Sequence, residues 1–337
     1  MLNRLCILLL IGVFSLPSIL NGMEIDFPIK QQTENLPIIT SFFEIIQLYV
    51  YTIDLNTATI TGKKADTNHI PNDIIYNTFY QSDDYVGLLY YNYKGTYQIG
   101  KYYFENNTLE HEVTFKLPSQ TESISGATVY DQVTNTISTS ALGLSNSVIY
   151  INVWDVTTGD VKEYQTKYKS GNIPTSCVGS ENQVYVIYLF KGNYNLLLMN
   201  VETLDEINYE ITNLKIDQNS EPDIIILQAL DTLYLVTTSN TNQDINLYSF
   251  DLDNSTNTAT VNLIYSSVGH FYGAFPVALS NDQQYITLMG AVDNSTLLIT
   301  AYNTNSQSIT NVQIPNADTY IFNQAFAGFQ YFSLTPK

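Results

Sequence analysis

The chain has 337 residues, room for one large repeat domain or two ordinary ones. Its 13 Lys+Arg against 32 Asp+Glu leave a net charge of −19. That charge repels phosphate backbones and anionic lipid headgroups, so nucleic acid and anionic membrane surfaces are excluded as partners, while cations, basic proteins and neutral glycans stay open.

The N-terminus carries an address. Arg4 precedes an apolar run over 5–14, followed by Ser15, Pro17 and Ser18. This is the basic, apolar, polar order of a secretory signal, and the run is shorter than the ~20 residues a membrane span needs. The expectation is a signal peptide over 1–22, a loose leader over 23–35 and one domain over 36–337, with the protein secreted. An uncleaved N-terminal anchor or residence in the secretory lumen is the alternative. Loss of Arg4 with the signal takes the net charge to about −20. Cys6 goes with the signal, which leaves Cys177, in the apolar stretch IPTSCVG, without a disulfide partner. A small buried hydrophobe is the expected role there. N-x-[ST] sequons begin at Asn106, Asn254 and Asn294, the expected glycosylation sites of a secreted chain.

Twenty-seven Tyr and 15 Phe, with few Met, favour strands. In chain order, apolar strands run repeatedly into a polar residue and a turn. Asp54, Glu105, Asp155, Asn200, Asp251 and Asn303 end such strands at steps of 45 to 52 residues. A period near 50 without helical pattern fits blades of a β-propeller, each a four-stranded sheet. Labelled a to d, the strands of the second unit are 74–80, 85–93, 98–104 and 110–117. Those of the third are 125–130, 136–142, 148–154 and 161–168. The fourth has 175–179, 184–190, 195–199 and 207–212, and the fifth 223–228, 233–238, 245–250 and 259–265. The sixth has 272–279, 285–290, 296–302 and 308–314. Short polar turns such as SDD, VTN and SEN separate them.

The ends are incomplete in complementary ways. Segments 42–53 and 58–63 supply strands c and d, and 320–326 and 330–334 supply a and b. The predicted fold is therefore all-β, a six-bladed β-propeller with one composite blade joining the two ends of the chain; seven blades is the alternative. Such closure leaves no long open edge strand.

VWDVTTGD at 153–160 resembles the end of a WD-type repeat. The sixth unit resembles one more fully, through Gly269-His270, Ser280 with Asp282, and Asp293, but it ends in Tyr302-Asn303 where the repeat has Trp-Asp. The resemblance implies propeller architecture. With a secretory signal in front, degenerate secreted and cell-surface propellers are the nearer comparison than the intracellular WD proteins.

Catalytic motifs are missing. There is no G-x-S-x-G, Walker A or G-x-G-x-x-G, and His111-Glu112 lacks the second His of H-E-x-x-H. His69, His111 and His270 fall in separate units, with His111 on an outer strand. Asp251–Ser255 opens like a calcium loop but has Thr256 where Gly is needed and Asn262 where Glu is needed, so a solvated turn is expected.

Topology offers more. In a propeller the d–a and b–c loops share one face. That face would collect Asp66, Asp73, Glu122, Asp217, Glu221, Asp223, Asp293 and Asp318, with Lys63, Lys64, Lys94 and Lys191 as the few bases. Converging carboxylates suit Ca²⁺, so these eight are the candidate metal ligands; solvated acidic loops are the competing expectation. Tyr90, Tyr91, Tyr93, Tyr97, Tyr102 and Tyr103 crowd one blade, either to stack on sugars or to pack between blades.

The function expected is a secreted or cell-surface binding or scaffold protein that recognises an extracellular protein or a glycan through that face. A Ca-dependent hydrolase of the lactonase or esterase propeller kind and a structural matrix component are the alternatives. No catalytic residue is assigned.

Overall fold

The computed structural model describes residues 36, 38–44, 48–64, 74–81, 84–92, 96–116, 121–124, 129–131, 134–143, 145–171, 175–178, 182–214, 216, 224–239, 244–267, 277–280, 282–293, 295–315 and 331–335. The chain divides into the units Met1–Asn35 and Leu36–Lys337, and all described residues belong to the second.

Every regular element among the described residues is a strand. The first group is β1 (Ile38–Glu44), β2 (Leu48–Asp54) and β3 (Thr59–Lys64). The second is β4 (Ile74–Gln81), β5 (Tyr85–Asn92), β6 (Thr96–Tyr103) and β7 (Thr108–Lys116). The third is β8 (Thr121–Ile124), β9 (Val129–Asp131), β10 (Thr136–Gly143), β11 (Val148–Asp155) and β12 (Val161–Lys169). The fourth is β13 (Thr175–Val178), β14 (Gln183–Phe190), β15 (Asn193–Asn200) and β16 (Glu206–Thr212), and the fifth β17 (Ile224–Ala229), β18 (Thr232–Ser239), β19 (Asp244–Asp253) and β20 (Thr258–Ser267). The sixth is β21 (Val277–Leu279), β22 (Tyr285–Asp293), β23 (Thr296–Asn303) and β24 (Ile309–Ile314), and β25 (Tyr331–Thr335) ends the series.

Within each group, consecutive strands pair antiparallel as a meander, except that β8 and β9 both pair with β10. β25 adds to the first group in the order β25-β1-β2-β3, so one sheet holds strands from near both ends of the described chain. Three of its strands come from the N-terminal side and one from the C-terminal side, not two and two. The expected single strand over 42–53 is a hairpin: β1 and β2 pair from Ile38↔Asp54 to Glu44↔Leu48. A twelve-residue run is twice the usual strand length, and its apolar character hid the turn. The expected strand 320–326 lies outside the described residues. The expected strand 125–130 is replaced by β8 and β9, which pair with opposite ends of β10. The fourth and fifth sheets are further joined edge to edge, β16 pairing parallel with β20 over Glu210↔Thr258 to Thr212↔Thr260.

Burial falls from the inner strands to the outer one. β11, β14 and β23 are buried on both faces through most of their length, whereas β12, β16 and β24 alternate with exposed residues. Two-sided burial means that each sheet is covered on both faces by its neighbours. The apolar clusters identify those neighbours. Val50 packs with Val86 and Leu88, Tyr97 and Phe115 with Trp154, and Ile149 and Ile151 with Val186 and Leu197. Leu196 packs with Leu235 and Phe250, Val236 and Leu247 with Ile286, and Ile299 with Tyr51 and Ile53. The leading strands follow the same order: β25 lies by β4, β4 by β9, β9 and β10 by β13, β13 by β17, β17 by β21, and β21 by β25.

Candidate functional site

Strand direction sorts the connections into two sets. The c–d turns of every sheet, and the a–b turns of all but the first, lie at one end and are short. The b–c and d–a connections lie at the other end. The d–a set spans residues 65–73, 213–223, 268–276 and 315–330 in four of the six units and the shorter 117–120 and 170–174 in the other two, so in four units the chain between described strands is much longer at this end than at the other.

The short turns are built alike. A residue in the left-handed region sits in each c–d turn: Ala58, Asn107, Gly159, Leu204, Asn257 and Gln307. Four places earlier stand Asp54, Tyr103, Asp155, Asn200, Asp253 and Asn303. The structure thereby moves two of the strand-ending positions read from the sequence, Glu105 to Tyr103 and Asp251 to Asp253. Where the residue is Asp or Asn, its side-chain oxygen accepts the turn amides. Asp155 Oδ1 accepts from Thr157 N (2.8 Å) and Thr158 N (2.9 Å), and Asn200 Oδ1 from Glu202 N and Thr203 N (both 2.9 Å). Asn303 Oδ1 does the same for Asn305 N (3.0 Å) and Ser306 N (2.9 Å). These are Asx turns, and they explain the Asp/Asn period. Hydrogen bonds from the Thr158 and Thr157 amides lower the Asp155 pKa, and those from Ser255 and Thr256 hold Asp253 at about 2. The Asp251–Ser255 stretch is thus a capped turn, in keeping with its incomplete calcium pattern: Asp253 Oδ1 accepts from Ser255 N at 2.8 Å and Asp253 Oδ2 from Thr256 Oγ1 at 2.8 Å.

The sequons divide between the two faces. Asn106 and Asn254 are exposed in c–d turns, while Asn294, outside the described residues, falls in the b–c connection of the sixth sheet. Asn106 Oδ1 accepts from Thr108 Oγ1 (2.6 Å), and Asn254 Oδ1 accepts from the buried Tyr209 hydroxyl (2.6 Å). In both, the amide oxygen is occupied; the nitrogen is the atom that would carry a glycan.

Of the eight candidate metal ligands, Glu122 lies in β8 and Asp293 is the last residue of β22, beside a register shift at Ala291/Asp293. Both stand at the b–c end of their sheets, but those are the third and sixth, which are not adjacent. Asp66, Asp73, Asp217, Glu221, Asp223 and Asp318 lie outside the described residues. Among the described residues no three His, Cys, Asp or Glu side chains cluster as a metal site. His111 is exposed on β7, with Nε2 3.1 Å from Thr114 Oγ1, and His69 and His270 lie outside the described residues.

The described part of the b–c face is tightly tied. Ser170 N donates to Ser147 O (2.9 Å) and Gly171 N to Leu189 O (2.7 Å), which fastens the end of β12 to both its own sheet and the fourth. In the fourth sheet the β14–β15 turn presents Phe190, 42% exposed, with Lys191 Nζ 5.1 Å above its ring. Lys191 and Gly192 both have positive φ, 51° and 82°, the pattern of a two-residue hairpin turn. This exposed aromatic under a cation was not marked in the sequence; its signal was the K-G pair between two apolar runs.

Of the six tyrosines named in the second sheet, the side chains of Tyr97, Tyr102 and Tyr103 are described, and those of Tyr90, Tyr91 and Tyr93 lie outside the described residues. Tyr97 and Tyr102 are buried, and burial pushes the Tyr102 hydroxyl up to about 12. Tyr103 is half-buried against Tyr85, with centroids 5.7 Å apart. Lys101 lies over Tyr85 at 4.9 Å and pairs with Glu112 at 2.6 Å.

No protein-family model matches the chain, and no curated protein is significantly similar to it in sequence. Solved structures are similar in fold. TolB from Acinetobacter baumannii is 13% identical with a TM-score of 0.56, over 89% of this chain and 67% of that one. The SapL1 lectin in complex with alpha methyl fucoside is 12% identical with a TM-score of 0.52, over 85% and 98%. A protein from Lactobacillus plantarum is 13% identical with a TM-score of 0.51, over 83% and 98%. At these identities the likeness concerns fold alone: the chain is all-β and propeller-like.

Proposed function

We propose that the protein is a secreted six-bladed β-propeller that binds an extracellular protein or a glycan through the face holding the b–c and d–a connections. The observation that carries the binding face is the inequality of the two sets of connections. Short c–d turns, capped by an Asp or Asn in five of the six sheets, occupy one end, and connections of nine residues or more recur at the other. Long loops on a rigid scaffold are where binding residues concentrate. Six blades are supported by the cyclic order of the leading strands and of the apolar seams, and closure by the β25–β1 pairing. Secretion rests on the N-terminal signal pattern, and glycosylation at Asn106, Asn254 and Asn294 follows from it. The −19 charge favours neutral glycans and basic proteins.

A lectin of similar fold is solved with alpha methyl fucoside, so that sugar belongs in the first test. The purified protein is applied to a glycan array and titrated with alpha methyl fucoside and with extracellular proteins of basic charge. Variants with residues 65–73 or 268–276 replaced by Gly-Ser follow. Binding that disappears in either variant is expected. No binding to any probe, or binding indifferent to both replacements, sinks this reading. The calcium-dependent hydrolase is the second reading, resting on the eight acidic residues that the sequence assigns to that face. Metal analysis and melting before and after chelation separate it: no bound metal and an unchanged Tm remove it.

A further inference from the structure

The chain's one tryptophan lies in a seam that is not wholly apolar. Three residues of the third sheet, on the face turned to the second, carry buried polar atoms without hydrogen-bond partners among the described residues. They are Asn152 Oδ1 and Nδ2, Trp154 Nε1 and Glu163 Oε2. Asn152 and Trp154 are two apart on β11, so they share a face, and both are fully buried. Glu163 on β12 is the direct cross-strand partner of Asn152, and Thr139 on β10 is its partner on the other side. Thr139 is already engaged, its Oγ1 donating to Ser140 O at 3.2 Å. Across the seam the second sheet offers Tyr97, Phe115 and Ile99, which pack around Trp154.

The chemistry of the four atoms narrows what can satisfy them. Two are donors, Trp154 Nε1–H and an Asn152 amide N–H. Two are acceptors, the Asn152 amide oxygen and a Glu163 carboxyl oxygen. A cation would face the two N–H groups, an anion would face the carboxylate, and an apolar filler would leave every atom unpaired. Water donates two hydrogen bonds and accepts two, and buried waters characteristically make two to four. Direct cross-strand neighbours stand about 5 Å apart at Cβ on one face, so Asn152 and Glu163 are near enough for a single water to contact both.

We propose that the seam between the second and third sheets holds an internal water molecule, seated on Asn152, Trp154 and Glu163. It binds β12 to β11 through solvent where this seam interrupts its apolar packing with an amide and a carboxyl group. Glu163 is half-buried, with Oε2 enclosed, and desolvation there raises its carboxyl pKa.

A crystal structure of the protein that resolves ordered solvent tests this directly. One water within hydrogen-bond distance of the Asn152 amide and of Trp154 Nε1 or Glu163 is expected. An Asn152 amide bonded straight to Glu163, with no water between, overturns it. In solution, Trp154 is its own reporter because the chain has a single Trp. Asn152→Leu, which removes both amide atoms and fills the seat, is expected to shift the emission to shorter wavelength at unchanged far-UV circular dichroism. Unchanged emission in folded N152L overturns the proposal, and if N152L fails to fold the wild-type crystal structure decides.

Discussion

Phe115 and Trp154 stack across two sheets, their ring centroids 5.1 Å apart and their planes 18° from parallel. Phe115 belongs to the outer strand β7 and Trp154 to β11 of the next sheet, and Tyr97 closes on the same indole at 5.5 Å. The indole is fully buried, so it is the largest piece of that seam. Trp154→Ala is expected to cost about 3–5 kcal/mol in denaturant unfolding, by lost apolar transfer and a cavity the sheets cannot close. Trp154→Phe keeps a ring and should cost about 1–2 kcal/mol. Equal losses for the two variants would show that stacking against Phe115 does not hold the seam.

The same seam gives a pH dependence. Burial raises the Glu163 carboxyl above its unfolded value, so folding favours the neutral acid. The stability this group contributes is complete below the unfolded pKa, about 4.3, and is lost as pH rises through the higher folded value. Glu163→Gln removes that loss. The variant should melt above wild type at pH 7, and the difference should vanish by about pH 4. A difference that is constant across this range, or reversed in sign, contradicts the assignment.

The third sheet also shows how much of this was legible in the sequence. Strands expected over 136–142, 148–154 and 161–168 are Thr136–Gly143, Val148–Asp155 and Val161–Lys169, because polar turns bracket each apolar run. Glu105 and Asp251 were misplaced by two residues because Tyr103 breaks the Asx period and Asp253 competes with a nearby Asp. The hairpin within 42–53 was hidden because Glu44 is the one charge in the run and no Gly, Asn or Pro marks the turn. Asn152 sits in VIYINVW as any strand residue would; only cross-strand register shows that its amide is enclosed. The eight acidic residues read as loop residues, yet Glu122 lies in β8 and Asp293 ends β22, because a carboxylate in a short polar run does not tell a strand end from a turn; whether Asp66 and Asp318 converge is not something a strand period encodes.

Leu204 carries strain that a substitution can release. It occupies the left-handed turn position at φ 63° and is 53% exposed, so its side chain gains little from packing. Asn257 and Asn107 fill the equivalent position in other units, where a short polar side chain tolerates the conformation. Leu204→Asn is expected to raise stability by about 0.5–1.5 kcal/mol, read as a higher denaturation midpoint at unchanged m-value. A lower midpoint would mean that Leu204 packs in a way its exposure does not reveal.

β25 supplies one edge strand of a sheet whose other three strands lie near residue 50. Its five residues pair with β1 from Phe42↔Tyr331 to Ile38↔Thr335. Deleting 331–337 leaves β1 as an unpaired edge, a template for association with other chains. With a ladder hydrogen bond contributing about 1 kcal/mol, the truncated chain should lose roughly 3–5 kcal/mol and aggregate at lower temperature than the full chain. The N-terminal hairpin β1–β2 should become the first segment to exchange its amide hydrogens. A truncated chain with wild-type Tm and unchanged exchange in 38–54 would show that β25 and β1 do not hold one another, and the proposed six-bladed closure would fall with that result.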